Sequence, residues 1–207
     1  MYFLEPNDSF PDVSLANEDG LLAFSLELTT NRLLDAYQKG LFPWFEDDQP
    51  VLWWSPDPRF VLYPSELKVS KSMKQFLRNC DLKVTVNKDF RTVITECALA
   101  KRAGQEGTWI TNGMIEAYVE LHKMGYAKSV EVYNGETLVG GLYGVDLGNG
   151  VFCGESMFAK QSNASKAAFI SFIQNTNYKL IDCQVFTNHM ERLGAREIPR
   201  DLFLTYL

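Results

Sequence analysis

Two short apolar stretches carry side chains at odds with their surroundings. In GVFCGESMF, residues 150–158, Glu155 stands in the middle of what otherwise reads as a buried strand. In LIDCQVF, residues 180–186, Asp182 and Gln184 do the same. A carboxylate carried unpaired into an apolar interior pays a heavy desolvation penalty, so each acid needs a partner, a ligand or a proton. The two-residue period of a strand groups Asp182 with Gln184, opposite Ile181, Cys183 and Val185, and groups Cys153 with Glu155 and Met157. With these strands close in one sheet, two carboxylates and an amide would converge beside a thioether and aromatic rings. A mainly apolar cavity with a few aimed polar groups is the usual way to hold a small ligand. The competing reading makes both acids structural, satisfied by backbone N–H groups or a buried Arg. Three such residues in two apolar strands favour a site, because perturbed acids concentrate there. Gly154 signals a bulge or a close backbone approach, and a bulge would upset this grouping of side chains.

The elements that must position these groups can be read from periodicity and capping. TTNRLLDAYQKG opens on Thr/Asn caps and closes on Gly40, a short helix stopped by Pro43. FPWF and VLWWSPDPRFVLYP set Trp44, Trp53 and Trp54 among prolines, which suits short strands and rigid turns, with a domain boundary near residue 62. SKSMKQFLRN is a helix with Lys71, Lys74 and Arg78 in one basic stripe, opposite Met73, Phe76 and Leu77. LKVTV alternates as a strand. NKDFRTVITECALAK and NGMIEAYVELHKMG repeat apolar residues at helical spacing, which leaves Met114, Tyr118 and Leu121 as core and His122 at the edge of that face. KSVEVYNGETLVGGLYGV reads as a hairpin around Asn134–Gly135, and LGNGV turns into a third antiparallel strand. NASKAAFISFIQ is a helix with Asn163 as cap, followed by strand KLIDCQVF, a short helix near NHMERLG and a last strand. Trp109, in a loop before a helix, is either core or a stacking surface.

Composition narrows the classes. The chain has 207 residues, 46% of them hydrophobic, enough for one large domain or two unequal ones. No window approaches about 18 consecutive apolar residues and the N-terminus lacks a secretory pattern, so a cytoplasmic protein without membrane contact is expected. Cys80, Cys97, Cys153 and Cys183 form no C-x-x-C pair and, with His122 and His189, give no metal-ligand spacing, so neither metal nor cofactor is expected. The net charge of −6 argues against general nucleic-acid affinity, yet residues 68–102 hold nine Lys/Arg against three acids. That island suits either a solvated helical face or a partner that is polyanionic at one place.

Taken in order, GLFPWF, WWSPDPR, EGTWIT, EAYVELHKMGYAKSVEV, LVGGLYGV, FCGESMF, NASKAA and LIDCQV resemble the leucyl/phenylalanyl-tRNA–protein transferase family from about residue 19 onward. The resemblance implies an α+β protein, with a small N-terminal domain over 1–62 and a larger GNAT-like domain, a mixed sheet flanked by helices, over 63–207. It implies transfer of Leu or Phe from aminoacyl-tRNA to an N-terminal Arg or Lys of an acceptor protein, marking it for degradation. The catalytic residues it implies are Asp182, Gln184 and Glu155. The aminoacyl pocket would be Leu142, Phe152, Met157, Phe169, Phe172 and Ile181. Tyr37, Trp44 and Trp109 would surround the terminal adenosine and acceptor, and Lys71, Lys74 and Arg78 would meet the tRNA backbone of a monomeric enzyme. The alternative is a GNAT-type N-acyltransferase using acyl-CoA. Such enzymes hold pyrophosphate on a glycine-rich loop at a helix start, and AKQSNASKAAF contains no glycine. A non-catalytic RNA-binding module is the third reading.

Overall fold

The computed structural model describes residues 1–46, 49–100 and 108–207. Lys101 and Arg102 of the basic island, and Glu106 and Gly107 of EGTWIT, lie outside the described residues. The chain begins with β1 (Tyr2–Leu4), β2 (Leu21–Ser25), α1 (Thr30–Gln38), β3 (Phe42–Pro43) and β4 (Val51–Trp54). These strands form a sheet of order β1-β2-β4-β3, parallel only between β1 and β2. β5 (Arg59–Leu62), α2 (Lys71–Asn79), β6 (Leu82–Val86), α3 (Phe90–Leu99), α4 (Asn112–Lys123), β7 (Ala127–Asn134), β8 (Thr137–Asp146) and β9 (Val151–Ala159) follow. Then come α5 (Ala164–Gln174), β10 (Leu180–Asp182), α6 (Asn188–Arg192), β11 (Arg196–Ile198) and α7 (Arg200–Leu204).

The second sheet runs β11-β5-β10-β9-β8-β7-β6, with β9 and β10 its parallel pair. Two parallel neighbours need a crossover, and α5 supplies it. The fold is α+β, and the element order read from residue 82 onward is observed, with α7 added at the end. β5 pairs with β10 and β11, so a division at residue 62 leaves one strand of the large sheet on the N-terminal side.

Capping explains where most helices start. α1, α2, α3, α4 and α6 each open on a Thr, Ser or Asp whose side chain accepts the N–H three residues on: Thr29, Ser70, Asp89, Thr111 and Thr187. α5 departs from expectation. Asn163 precedes it at φ 66 and makes no side-chain cap, because the chain arrives through a left-handed residue, which Asn tolerates. The hairpin register also differs by one: Asn134 pairs with Thr137, so the two turn residues are Gly135, at φ 58, and Glu136.

Apolar side chains cover both faces of the large sheet. Tyr143, Val145, Cys153 and Phe158 pack with α3, α4 and the small sheet, while Val130, Val132, Leu142 and Phe152 pack under α5. α5 comes close because Gly140 has no side chain; a Cβ there would stand 2.6 Å from that of Ala164.

β9 departs from simple alternation. Tyr143 pairs with Ser156 and Gly144 with Gly154, which leaves Glu155 as the extra residue of a bulge. The grouping of Cys153, Glu155 and Met157 is therefore corrected. Cys153 packs with Tyr143 and Val145 on one face, whereas Met157 joins Leu142 and Phe152 on the other, because the inserted residue reverses the alternation beyond it.

Candidate active site

β10 pairs with β9 only as far as Asp182 opposite Cys153. Beyond that point the strands separate. β9 bulges at Glu155 and the chain after Asp182 bends towards β5, where Cys183 donates its N–H to Phe60 O at 2.9 Å. The bend is tight: Gln184 has φ 64 and Val185 donates back to Cys183 O at 2.8 Å. A bulky residue held in the left-handed region stores strain, which concentrates at functional sites. Its side chain crosses the gap, and Gln184 Nε2 donates to Glu155 Oε1 at 2.7 Å.

Each carboxylate has its own environment. Asp182 is fully enclosed and receives Arg59 through two parallel bonds, Nε to Oδ1 at 2.8 Å and an Nη to Oδ2 at 2.7 Å. Its Oδ1 also accepts the Gln184 N–H at 2.9 Å, so the ion pair holds the bend. Arg59 lies between the rings of Phe42 and Phe203, 4.8 and 4.6 Å from their centroids. Asp182 thus has the buried Arg partner of the structural reading.

Among the described residues, Glu155 forms no ion pair. Its Oε2 accepts the Tyr118 hydroxyl at 3.1 Å, and the Tyr37 and Tyr118 oxygens lie 2.5 Å apart. The Tyr37 and Tyr118 hydroxyls both hydrogen-bond to the Glu155 carboxyl, so two phenol protons face one acid. Burial raises the Glu155 carboxyl to about 7; the two tyrosines and Arg59 counter this in part, and the charge of Asp182 adds to it. Glu155 is therefore poised to change charge near neutral pH.

These groups open onto a cavity of about 1100 Å³ between the two sheets. Leu142, Phe152, Met157, Phe169 and Ile181 form its apolar end, and Trp44 and Trp109 line it as well, Trp44 with 48% of its surface exposed. Phe172 does not reach the cavity; it stands behind Phe152, ring centroids 4.8 Å apart. Tyr37 does not reach it either. With 1% exposure, it hydrogen-bonds to Tyr118 and Glu155 from behind the cavity wall. Lys71, Lys74 and Arg78 are exposed along α2, away from the cavity lining.

Sequence reasoning missed several residues here. Trp54 packs on Trp44 at 5.9 Å and donates its Nε1–H to Trp44 O at 2.8 Å, and it lines the cavity with Glu46 and His189. Tyr118 fell on an apolar helical face and read as core. Nothing in the spacing links Arg59 to Asp182, yet an Arg among prolines and aromatic residues was the available signal. Among the described residues, no Lys or Arg lines the cavity.

Chemically, the site offers an apolar slot for a side chain, aromatic rings at an open end, and a carboxyl of shifted acidity beside an amide. That is equipment for acyl transfer to an amine.

The family model described as leucyl/phenylalanyl-tRNA protein transferase matches residues 61–207, and the N-terminal domain model of the same name matches residues 27–57. Leucyl/phenylalanyl-tRNA–protein transferases of Flavobacterium johnsoniae and Christiangramia forsetii are 57% and 54% identical, covering all of this chain and 99% and 100% of theirs. Among solved structures, a GCN5-related N-acetyltransferase from Kribbella flavida aligns with a TM-score of 0.39 and 10% identity, over 79% of this chain and 58% of that one. The close relatives define an aminoacyltransferase. The chain belongs to the leucyl/phenylalanyl-tRNA–protein transferase family.

Proposed function

We propose that the protein transfers Leu or Phe from aminoacyl-tRNA to the N-terminal Arg or Lys of an acceptor protein, as a cytoplasmic monomer that tags proteins for degradation. The observation that carries this reading is the Glu155–Gln184 contact across the parted strands, at the edge of an apolar slot.

An aminoacyl ester is already activated, so the enzyme mainly has to bring an amine to it, and positioning can supply about 7–11 kcal/mol. The side chain of Leu or Phe enters the slot formed by Leu142, Phe152, Met157, Phe169 and Ile181. One methylene is worth only about 1–3 kcal/mol in such a slot, so selectivity among apolar side chains is broad. Trp44, Trp54 and Trp109 offer faces for the terminal adenine, each stacked base contributing about 1–3 kcal/mol.

Gln184 Nε2 is committed to Glu155, which leaves its amide oxygen to accept an N–H of the attacking amine. Asp182 has both oxygens engaged by Arg59 and no exposed surface, so it positions Gln184 and does not act as the base. Glu155 takes that role. The acceptor nitrogen forms the new bond to the ester carbonyl carbon, its proton passes to Glu155, the carbon–oxygen bond to the ribose breaks, and Glu155 returns the proton to the leaving oxygen. Glu46, in a cavity lining that holds no Lys or Arg among the described residues, favours an acceptor whose first side chain is positively charged.

Purified protein, labelled Phe-tRNA and a peptide beginning with Arg test this. Label moves to the peptide without acyl-CoA and in the presence of a chelator. Transfer from an acyl-CoA and none from Phe-tRNA overturns it in favour of the alternative acyltransferase.

A further inference from the structure

Among the described residues, the cavity lining offers no Lys or Arg for the phosphates that an aminoacylated RNA end carries. Cations lie just outside it. Lys166 is three residues before Phe169 on α5, and Arg192 three residues after His189 on α6, so each shares a helical face with a residue of the cavity wall. Both act on one group: burial, Lys166 and Arg192 together hold His189 below its ordinary value, which keeps its ring neutral at pH 7. The path continues outward from α6. Lys68 donates its backbone N–H to Leu193 O at 2.8 Å, which joins the segment before α2 to the residue after Arg192. Ser70 then caps α2, whose exposed Lys71 and Lys74 follow directly.

Lys68 and Arg192 are exposed and Lys166 is half-buried. None of the three is in an ion pair among the described residues. Of the acids nearby, Glu66 is engaged by Arg196 at 3.0 Å, and Glu191 adjoins Arg192 in the chain. Spaced cations running from a helix surface to the edge of a cavity suit a flexible polyanionic strand whose last residue must enter that cavity.

We propose that Lys68, Arg192 and Lys166 form a phosphate track that carries the single-stranded 3′ end of the donor RNA from α2 to the cavity, a reading that rests on aminoacyl transfer from tRNA. Lys166 and Arg192 meet the last phosphates before the terminal nucleoside, which itself passes into the uncharged interior.

The test compares the wild type with a Lys166→Ala/Arg192→Ala variant, using binding of Phe-tRNA between 50 and 200 mM salt and transfer from both Phe-tRNA and phosphate-free phenylalanyl-adenosine. Losing two single-strand phosphate contacts lowers the log–log salt slope by about 1.4. Transfer efficiency from Phe-tRNA falls several-fold at low salt, while transfer from phenylalanyl-adenosine is unchanged. A salt slope equal to that of the wild type overturns the track. Equal losses on both donors overturn it too, since damage to the cavity wall through His189 or Phe169 acts without regard to phosphate. If the wild type transfers from neither donor, the aminoacyl-transfer reading falls and the track with it, whereas an unchanged slope in active proteins removes the track alone.

Discussion

Replacing Glu155 with Gln separates its chemistry from its shape. The amide keeps the volume and an oxygen for Gln184, and it cannot ionise. In the wild type the folded protein holds this carboxyl at about 7, well above a carboxyl exposed in the unfolded chain. The sign follows from linkage: the unfolded chain releases this proton first, so the native state loses relative stability as pH rises from about 4.5 to about 7. The displacement from 4.5 to about 7 amounts to about 3 kcal/mol at full ionisation. The variant escapes that cost, so its stability relative to the wild type should rise by about 3 kcal/mol between pH 4.5 and pH 8. Urea denaturation across that range measures it. In parallel, loss of a general base should lower transfer by about 10²–10⁴-fold. The variant should also lose the rate limb near pH 7 and keep only the one set by the acceptor amine. A stability difference that stays flat with pH, or a variant that transfers at the wild-type rate, refutes the assignment.

Three further outcomes are expected. Arg59→Met strands the Asp182 charge in the interior and should cost about 3–5 kcal/mol in denaturation, with transfer lost as the bend at Gln184 relaxes. Leu142→Phe narrows the slot and should lower Phe transfer more than Leu transfer in a competition between the two charged tRNAs. Glu46→Lys should raise KM for peptides beginning with Arg while leaving binding of Phe-tRNA intact, as read by peptide kinetics beside RNA titration.

The sequence displayed the elements well because each buries one face. Apolar spacing marked α3 and α4, and the Thr/Asn run around Thr29 marked the start of α1, whereas the caps at Ser70, Asp89 and Thr111 emerged only in the structure. The meeting of Glu155 with Gln184 was also legible, since both stood out against apolar strands. The rest depended on three-dimensional events with little local signature. A single inserted residue at Glu155 put Met157 and Cys153 on opposite faces, and a glycine hinted at the bulge without fixing its place. Asp182 and Arg59 lie 123 residues apart in the chain and meet only because β5 pairs beside β10. Tyr118 occupies an apolar position by period, and only the fold shows that its hydroxyl is aimed at Glu155.

The ring of Phe203 against Arg59 links the candidate site to the chain's tail. α7 adds no residue to the cavity lining, yet it forms one side of the aromatic clamp on the guanidinium that steadies Asp182, while Leu204 and Leu207 lie against Gly40 beside the clamp's other jaw. A protease that clipped the last turn would remove no residue of the cavity wall and yet would loosen the support beneath Asp182, and a bulky fusion appended there would act on the same linkage.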